Sequence, residues 1–432
     1  MKVLAQRISN NPNYAKALEW GKLITITGGA QLLVQLTGFA SGILIIRLLS
    51  IQEYAFYTLA NTMLGAMVML ADSGVGSGVM AESGKVWQDR QKLGEVFVTG
   101  LGLRKRFSII SLAVTLPVLI YLLLSHGASW LTVLLIIVSI VPAALAAMSD
   151  TLLEVAPKLH QDITPLQRNA AEVSVLRLIL SGLFAFFFPF TFAALLANGL
   201  PRIYGNYKLR QVAEKFAVGN ASPDPVVEAA IIRGVKRTLP IVIYSCLSGQ
   251  LTIWLVSFFG KTDGISQIGA LSKINALFNL VAILVSTLVI PRFSRMAASR
   301  QGLMKSFLLI QAGSLGITLL LLLSISLFSN QVLWVLGKNY AHLNYQLLLV
   351  AISHSIGLMV NVCSQLILSR GWFLNPYLMV CINFASTILS LSLFKMTSLV
   401  AILYFDITIL IITYTVAFTF GIISIRKLPN TI

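Results

Sequence analysis

Acidic side chains are scarce in this chain: 15 Asp and Glu stand against 32 Lys and Arg, and all charged residues together are 11% of the 432. A soluble globular domain carries about 25%. Histidine and cysteine are scarcer still, with four and three copies. His126, His160, His342 and His354 are scattered and have no metal-ligand spacing. Cys246, Cys363 and Cys381 fall inside apolar runs and match neither a zinc nor a redox pattern, so they read as small apolar fillers. No metal or cofactor is expected. Gly260-Lys261-Thr262 resembles the end of a phosphate-binding loop, but Leu255 stands where its first glycine is required. The glycine-rich stretch Asp72–Gly78 follows an apolar span rather than a strand, which excludes a dinucleotide fingerprint.

Apolar side chains are abundant, at 57%, and they come in solid blocks. A hydrocarbon core of roughly 30 Å needs about 20 helical residues at 1.5 Å each. Backbone facing lipid must satisfy its own hydrogen bonds, so such blocks are helices; the strands of a barrel would be short and alternating. The sequence therefore predicts an all-α polytopic membrane protein. Spans are expected near 23–46, 54–80, 107–124, 131–148, 173–188 and 190–206, then near 240–259, 268–290, 307–328, 346–368, 377–394 and 400–424. The fifth and sixth meet at Phe188-Pro189-Phe190, where proline ends one helix and starts the next. Residues 1–19 are too polar for a secretory signal.

Charge tests this count. With the N-terminus in the cytoplasm, 26 of the 32 Lys and Arg fall in cytoplasmic segments. Only Arg47, Lys261, Lys338 and Lys395 fall outside, and Arg177 and Lys273 lie within spans. That bias supports twelve spans with both termini cytoplasmic. It also accounts for the net charge of +17 without nucleic acid. The outer loops contain only Glu53 and Asp263 as acids and no sizeable domain, which argues against an outward-facing enzyme.

The chain divides into an N-terminal six-helix bundle (1–206), a basic cytoplasmic linker (207–239) and a C-terminal six-helix bundle (240–432). The linker contains the turn-rich run Gly219-Asn220-Ala221-Ser222-Pro223-Asp224-Pro225. A faint parallel repeat relates the halves: an offset of 214 aligns Asn61 with Asn275 and brings Gln35 within one residue of Gln250.

Polar residues inside the spans are the candidate functional groups. Gln31 and Gln35 share one face of span one. With Asn61, Gln250, Lys273 and Asn275 they fit a hydrated cleft between the halves. The competing reading is that such residues glue helices together at around 0.6 kcal/mol per bond. Arg177 lies about one turn from the inner end of span five and can snorkel. Asp72 reads as a helix-end residue. Asp406 is the deepest acid, about 10 Å or more from either end of span twelve by helical rise. Asp406 and His354 are the candidate proton carriers.

Three segments carry a resemblance. Ile46-Arg47-Leu48-Leu49-Ser50-Ile51-Gln52-Glu53-Tyr54-Ala55-Phe56-Tyr57 resembles the turn between spans one and two of the polysaccharide-export branch of the multidrug/oligosaccharidyl-lipid/polysaccharide exporter superfamily. Arg47, Leu49, Glu53, Tyr54 and Tyr57 match; Ser50, Ile51 and Ala55 replace the usual Gly, Pro and Gly. Ala71-Asp72-Ser73-Gly74-Val75-Gly76 resembles the segment ending span two, and Val335-Leu336-Gly337-Lys338-Asn339-Tyr340-Ala341 the element before span ten. The O-antigen repeat-unit flippases of bacterial inner membranes are the branch it most resembles.

The resemblance implies two six-helix bundles forming a V around a central cavity lined by spans one, two, seven and eight. Gln31, Gln35, Asn61, Gln250, Lys273 and Asn275 then belong to that lining. It implies a flippase for a short oligosaccharide on polyprenyl pyrophosphate, working by alternating access with no cofactor. Gln and Asn suit sugar hydroxyls, and Lys273 suits the pyrophosphate, with Arg177 nearer the inner entrance. Glycan polymerase and chain-length machinery become expected partners, beside the bilayer itself. The alternatives are a flippase for another lipid-linked precursor, a cation-coupled multidrug antiporter of the same superfamily, or a non-transporting scaffold. The antiporter usually needs an embedded carboxylate, which span one lacks and Asp406 supplies.

Overall fold

The computed structural model describes residues 12–259, 262–296, 299–372, 376–396 and 398–428, and among them there is no strand. Gly260, Lys261 and the first eleven residues lie outside that set, and with them the phosphate-loop and signal-peptide readings. Each expected span is helical. In the N-terminal half they are α1 (Pro12–Leu48), α2 (Ile51–Asp72) with α3 (Val75–Val86), α4 (Arg90–Ser125), α5 (Trp130–Leu153) with the short α6 (Val155–Leu159), α7 (Thr164–Phe187) and α8 (Thr191–Glu214). Then come α9 (Pro225–Phe259), α10 (Thr262–Leu271), α11 (Asn275–Leu284), α12 (Ile290–Arg295), α13 (Arg300–Leu327), α14 (Ser329–Leu336), α15 (Asn344–Ser369), α16 (Pro376–Leu393) and α17 (Leu399–Arg426). Among the described residues, nine helical segments are long and apolar enough to cross a membrane on their own, and α9 makes ten if counted as one bent span. The break at Phe188-Pro189-Phe190 is as expected.

Two spans are less regular than their sequence reading. Span two is divided between α2 and α3. Ser73 (φ 42°) and Gly74 (φ 92°) take left-handed backbone there, and Asp72 Oδ1 accepts from Gly76 N at 3.1 Å to cap the new helix. A Cβ on Gly74 would stand 2.3 Å from Thr238 Oγ1, so both the dihedral and the close approach require glycine. Span eight is built from α10, a tight 3-10 turn over Ser272–Ile274, α11, a π-helical turn over Val285–Val289, and α12.

The chain forms two compact units. The first draws its described residues from Met1–Leu44, Leu64–Ile120 and Ser129–Leu239. In it α5 packs closely on α8, and Ala143, Ala144 and Ala147 of α5 and Ala194, Ala197 and Gly199 of α8 are all buried. A Cβ on Gly199 would fall 2.9 Å from that of Ala143. Small residues let the backbones approach, as expected for helices in lipid.

The stretch 207–239, expected as a polar linker, is mostly helix: α8 continues to Glu214 and α9 begins at Pro225. Its turn-rich run occupies the gap between them. The first part of α9 is anchored on the first unit. Ile231 and Val235 pack with Val75, Val79, Val96, Leu103, Leu152 and Val155. Arg106 donates to Glu228 at 2.6 Å, Asp224 N to Thr99 Oγ1 at 2.9 Å, and Thr238 Oγ1 to the Ser73 carbonyl at 3.2 Å.

The second unit draws on Pro240–Ile432 together with Ile45–Met63 and Tyr121–Ala128. The resemblance-bearing segments account for part of that grouping. Arg47 Nε donates to the Val335 carbonyl at 2.9 Å and Nη2 to the Trp334 carbonyl at 2.6 Å, with its guanidinium 4.9 Å from the Trp334 ring centroid. Tyr54 and Tyr340 are 1% and 2% exposed. Burial pushes the Tyr340 phenol up to about 12, against a hydrogen bond with Ser266 that lowers it. His126 bridges Ser257 Oγ (2.7 Å) and Thr262 Oγ1 (3.3 Å), and burial holds its imidazole below the usual value. The motif residues thus act as packing clamps. In the tightest of these contacts, a Cβ on Gly269 would fall 2.3 Å from Thr58 Oγ1. Gly269→Ala is therefore expected to destabilise the protein by about 1–3 kcal/mol, as overpacking does. Thermal unfolding of the purified protein in detergent checks this, and Thr58→Ala should recover part of the loss.

Candidate functional site

The second unit contains a cavity of about 310 Å³. Its polar lining comes from Asn275 and Asn279 on α11, Ser353, His354 and Asn361 on α15, and Asp406 on α17. Helical periodicity explains the convergence. Asn275 and Asn279 are i, i+4 on one face, and His354 and Asn361 are i, i+7 on another. The apolar partners α15 and α17 pack against each other along their length.

Asp406 is held by neutral donors only. Ser353 Oγ donates to one carboxylate oxygen, and Thr252 Oγ1 on α9 donates to the other at 3.4 Å. Among the described residues no Lys or Arg pairs with it. His354 has its Nε2 buried without a hydrogen-bond partner among the described residues, and its ring lies 5.9 Å from that of Phe278. A bare carboxylate at this depth is costly, by several kcal/mol on most scales. A proton or a small cation entering the cavity relieves that cost. The arrangement is a protonatable group in a polar cavity, with hydroxyl and amide oxygens around it.

The other sequence candidates are distributed between the units. Asn275 joins Asp406 and His354, so a residue expected to bind substrate shares a cavity with both coupling candidates. Lys273 sits in the 3-10 turn that interrupts span eight and has no acidic partner among the described residues. Gln250 is 9% exposed, and its Oε1 has no partner among the described residues. Asn61 is exposed and groups with the second unit. In the first unit Gln31 Nε2 donates to Gln167 Oε1 at 3.5 Å, Gln35 is half-buried, and Arg177 lines a separate cavity with Asp150 and Arg202. Sequence reasoning missed Ser353, Asn279 and Thr252. Their spacing was a usable signal: Ser353 precedes His354, and Asn279 lies one turn beyond Asn275.

No protein-family model matches the chain, and no curated protein sequence does. Solved structures do match. One is a multidrug resistance MATE family transporter of the MOP superfamily in its inward-facing conformation, with TM-score 0.73 and 15% identity over 91% of this chain and 94% of that one. The outward-facing conformation gives 0.65 at 15% identity, over 95% of both chains. A MATE structure in the bent conformation gives 0.60 at 14%, over 98% and 97%. The fold is that of the MATE transporters. Those structures have twelve helices in two bundles, the architecture expected from the apolar blocks. The MATE neighbours are transporters rather than enzymes. A likeness at this identity carries the fold, and the chemistry rests on the residues above.

Proposed function

We propose that the chain is a cation-coupled, alternating-access exporter of the bacterial inner membrane, with both termini in the cytoplasm. The observation that carries this reading is Asp406: an embedded carboxylate held by two hydroxyls, in a cavity shared with His354 and three Asn side chains. Protonation of Asp406 in one conformation and release in the other would couple the gradient to the conformational cycle. The likeness to multidrug resistance MATE transporters supports a multidrug cargo above a lipid-linked glycan, and the carboxylate suits a cationic one, since cationic cargo and protons can compete for it.

A second reading has its own support. Lys273 lacks an acidic partner among the described residues, which suits an anionic cargo better than a cationic one. With Asn61, Gln250 and Asn275 of the same unit, it fits the flippase of polyprenyl-pyrophosphate-linked oligosaccharide that the motifs at Arg47 and Tyr340 suggest. Glycan polymerase and chain-length machinery would be partners under this reading alone.

One experiment separates the cargoes. Cells lacking the protein are compared with re-expressing cells for cationic-dye efflux and for the sidedness of polyprenyl-linked oligosaccharide. Restored efflux supports the antiporter. Intermediates that pile up on the cytoplasmic leaflet, and clear on re-expression, support the flippase. If the flippase holds, Lys273→Ala is expected to reduce outer exposure of the glycan more than Arg177→Ala, with both proteins present in the membrane. Equal, full activity in the two variants would remove the electrostatic role of Lys273.

A further inference from the structure

The first unit has a cavity of its own, about 210 Å³, at the end where the basic loops lie. Asp150 and Glu154 line it from the end of α5, Asn169 and Arg177 from α7, and Arg202 and Asn206 from α8. It is chemically unlike the Asp406 cavity, because two guanidiniums face two carboxylates. Asp150 is already matched: Arg202 Nε donates to it at 3.1 Å and Asn206 Nδ2 at 2.7 Å. Glu154 takes Lys158 at 2.7 Å.

Two groups in this cavity are left with capacity to bind. Arg202 uses only its Nε on Asp150, and its two terminal amino groups have no hydrogen bond among the described residues. Those are the paired donors that suit a phosphate. Asn169 is 8% exposed, and its Oδ1 has no hydrogen-bond partner among the described residues. A buried amide oxygen left bare is costly unless a donor reaches it. Gly205 of α8 packs closely beside it: a Cβ there would stand 3.5 Å from that oxygen and 2.4 Å from Val173 Cγ2.

The cavity also sits at a recognisable depth. Val175 and Ile179 on α7, with Leu200 and Ile203 on α8, are exposed apolar residues that suit hydrocarbon. Within one turn beyond them on α8, Tyr204 and Tyr207 are 43% and 64% exposed, and Lys208 stands 4.8 Å from the Tyr204 ring centroid. Exposed tyrosines beside a lysine mark the headgroup level of a bilayer. Arg202, Gly205 and Asn206 lie in this same stretch of α8.

We propose that this cavity binds a phospholipid headgroup of phosphoethanolamine type from the leaflet on the basic side, the phosphate on Arg202 and the ammonium toward Asn169. The headgroup matches the lining in sign and in count: one anionic phosphodiester, and one cation able to donate N–H bonds. The site is independent of the cargo and of Asp406, so its test involves no transport.

The full chain, purified in detergent, is titrated with dioctanoyl phosphatidylethanolamine, phosphatidylcholine and phosphatidylglycerol, and with inorganic phosphate, and binding is read by native mass spectrometry and thermal shift. Phosphatidylethanolamine is expected to bind about tenfold more tightly than phosphatidylcholine, whose trimethylated nitrogen has no N–H to donate. Arg202→Lys, which keeps a cation for Asp150, and Asn169→Leu, which removes the bare acceptor with the rest of its amide, should each weaken it about tenfold. Unchanged affinity in both variants, or equal binding of all three lipids, overturns the site. Inorganic phosphate displacing the lipid at equal concentration overturns the lipid as its source.

Discussion

Asp406→Asn will abolish concentrative transport while leaving the protein in the membrane and downhill exchange measurable. The carboxamide keeps the size of the carboxyl group and one acceptor oxygen for one of the two hydroxyls of Ser353 and Thr252, while the other hydroxyl turns to accept from the new amide, so the local packing of α9, α15 and α17 is preserved. What it removes is the ability to take up and release a proton. The variant is a permanent mimic of the protonated state, and a site with one state cannot couple a gradient to a conformational equilibrium. One charge moving through about 100 mV is worth about 2.3 kcal/mol, which drives roughly a 50-fold concentration ratio. That ratio is the quantity expected to fall to unity. Proteoliposomes energised with an imposed potential and pH gradient would measure it, using whichever cargo the cell assays identify. Passive counterflow measured in the same vesicles should persist. Full accumulation in the variant would move the coupling away from this cavity, and loss of counterflow as well would mean that the substitution had damaged the transport path.

How much of this was legible in the sequence depended on whether the signal was local. The bilayer length of the apolar blocks and the proline at position 189 are local, and the helices follow them. The polar set inside the spans was also readable, because a Gln, Asn or Asp in an apolar run stands out by composition alone. What could not be read was partnership. Asn275 was grouped with Gln250 and Lys273 on the strength of span number, whereas it shares its cavity with His354 and Asp406, some 80 and 130 residues further along the sequence. The helical start of α9, in the basic stretch before Pro240, is hidden for a different reason. Arg233, Lys236 and Arg237 dominate its composition, yet Ile231 and Val235 recur at helical spacing on one face, and that face is buried. Charge density outweighed periodicity in the reading; in the protein the periodic face determines the structure. The motif residues Arg47, Tyr54 and Tyr340 were legible as a pattern, but their function as clamps in the second unit needed the fold.

Asp72 is the residue whose importance the sequence most understated, and Asp72→Ala is expected to destabilise the protein by about 3 kcal/mol. As a helix-end residue it would be worth about 1 kcal/mol. In the structure it also forms an ion pair with Arg104, whose side chain is 3% exposed. Arg104 donates a second bond to Thr151 Oγ1 at 3.1 Å, while its Nε and Nη1 have no partner among the described residues. Removing the carboxylate would leave a buried guanidinium without its counter-ion, a change that costs about 3–5 kcal/mol in proteins. The lower end applies because Asp72 itself is 40% exposed and partly screened by solvent. The sequence concealed the pair by counting Arg104 among loop cations. In fact α4 begins at Arg90, and Arg104 lies four turns into the helix. Thermal unfolding in detergent, followed by intrinsic fluorescence, checks the magnitude, and Asp72→Ala/Arg104→Leu identifies the cause. If the stranded charge is responsible, the double variant should recover most of the loss. If the cap at Gly76 or the left-handed turn at Ser73-Gly74 is responsible, it should recover none. The distinction bears on transport because Thr238 of α9 rests on that turn. Asp72 then helps to hold the first part of α9 on the first unit.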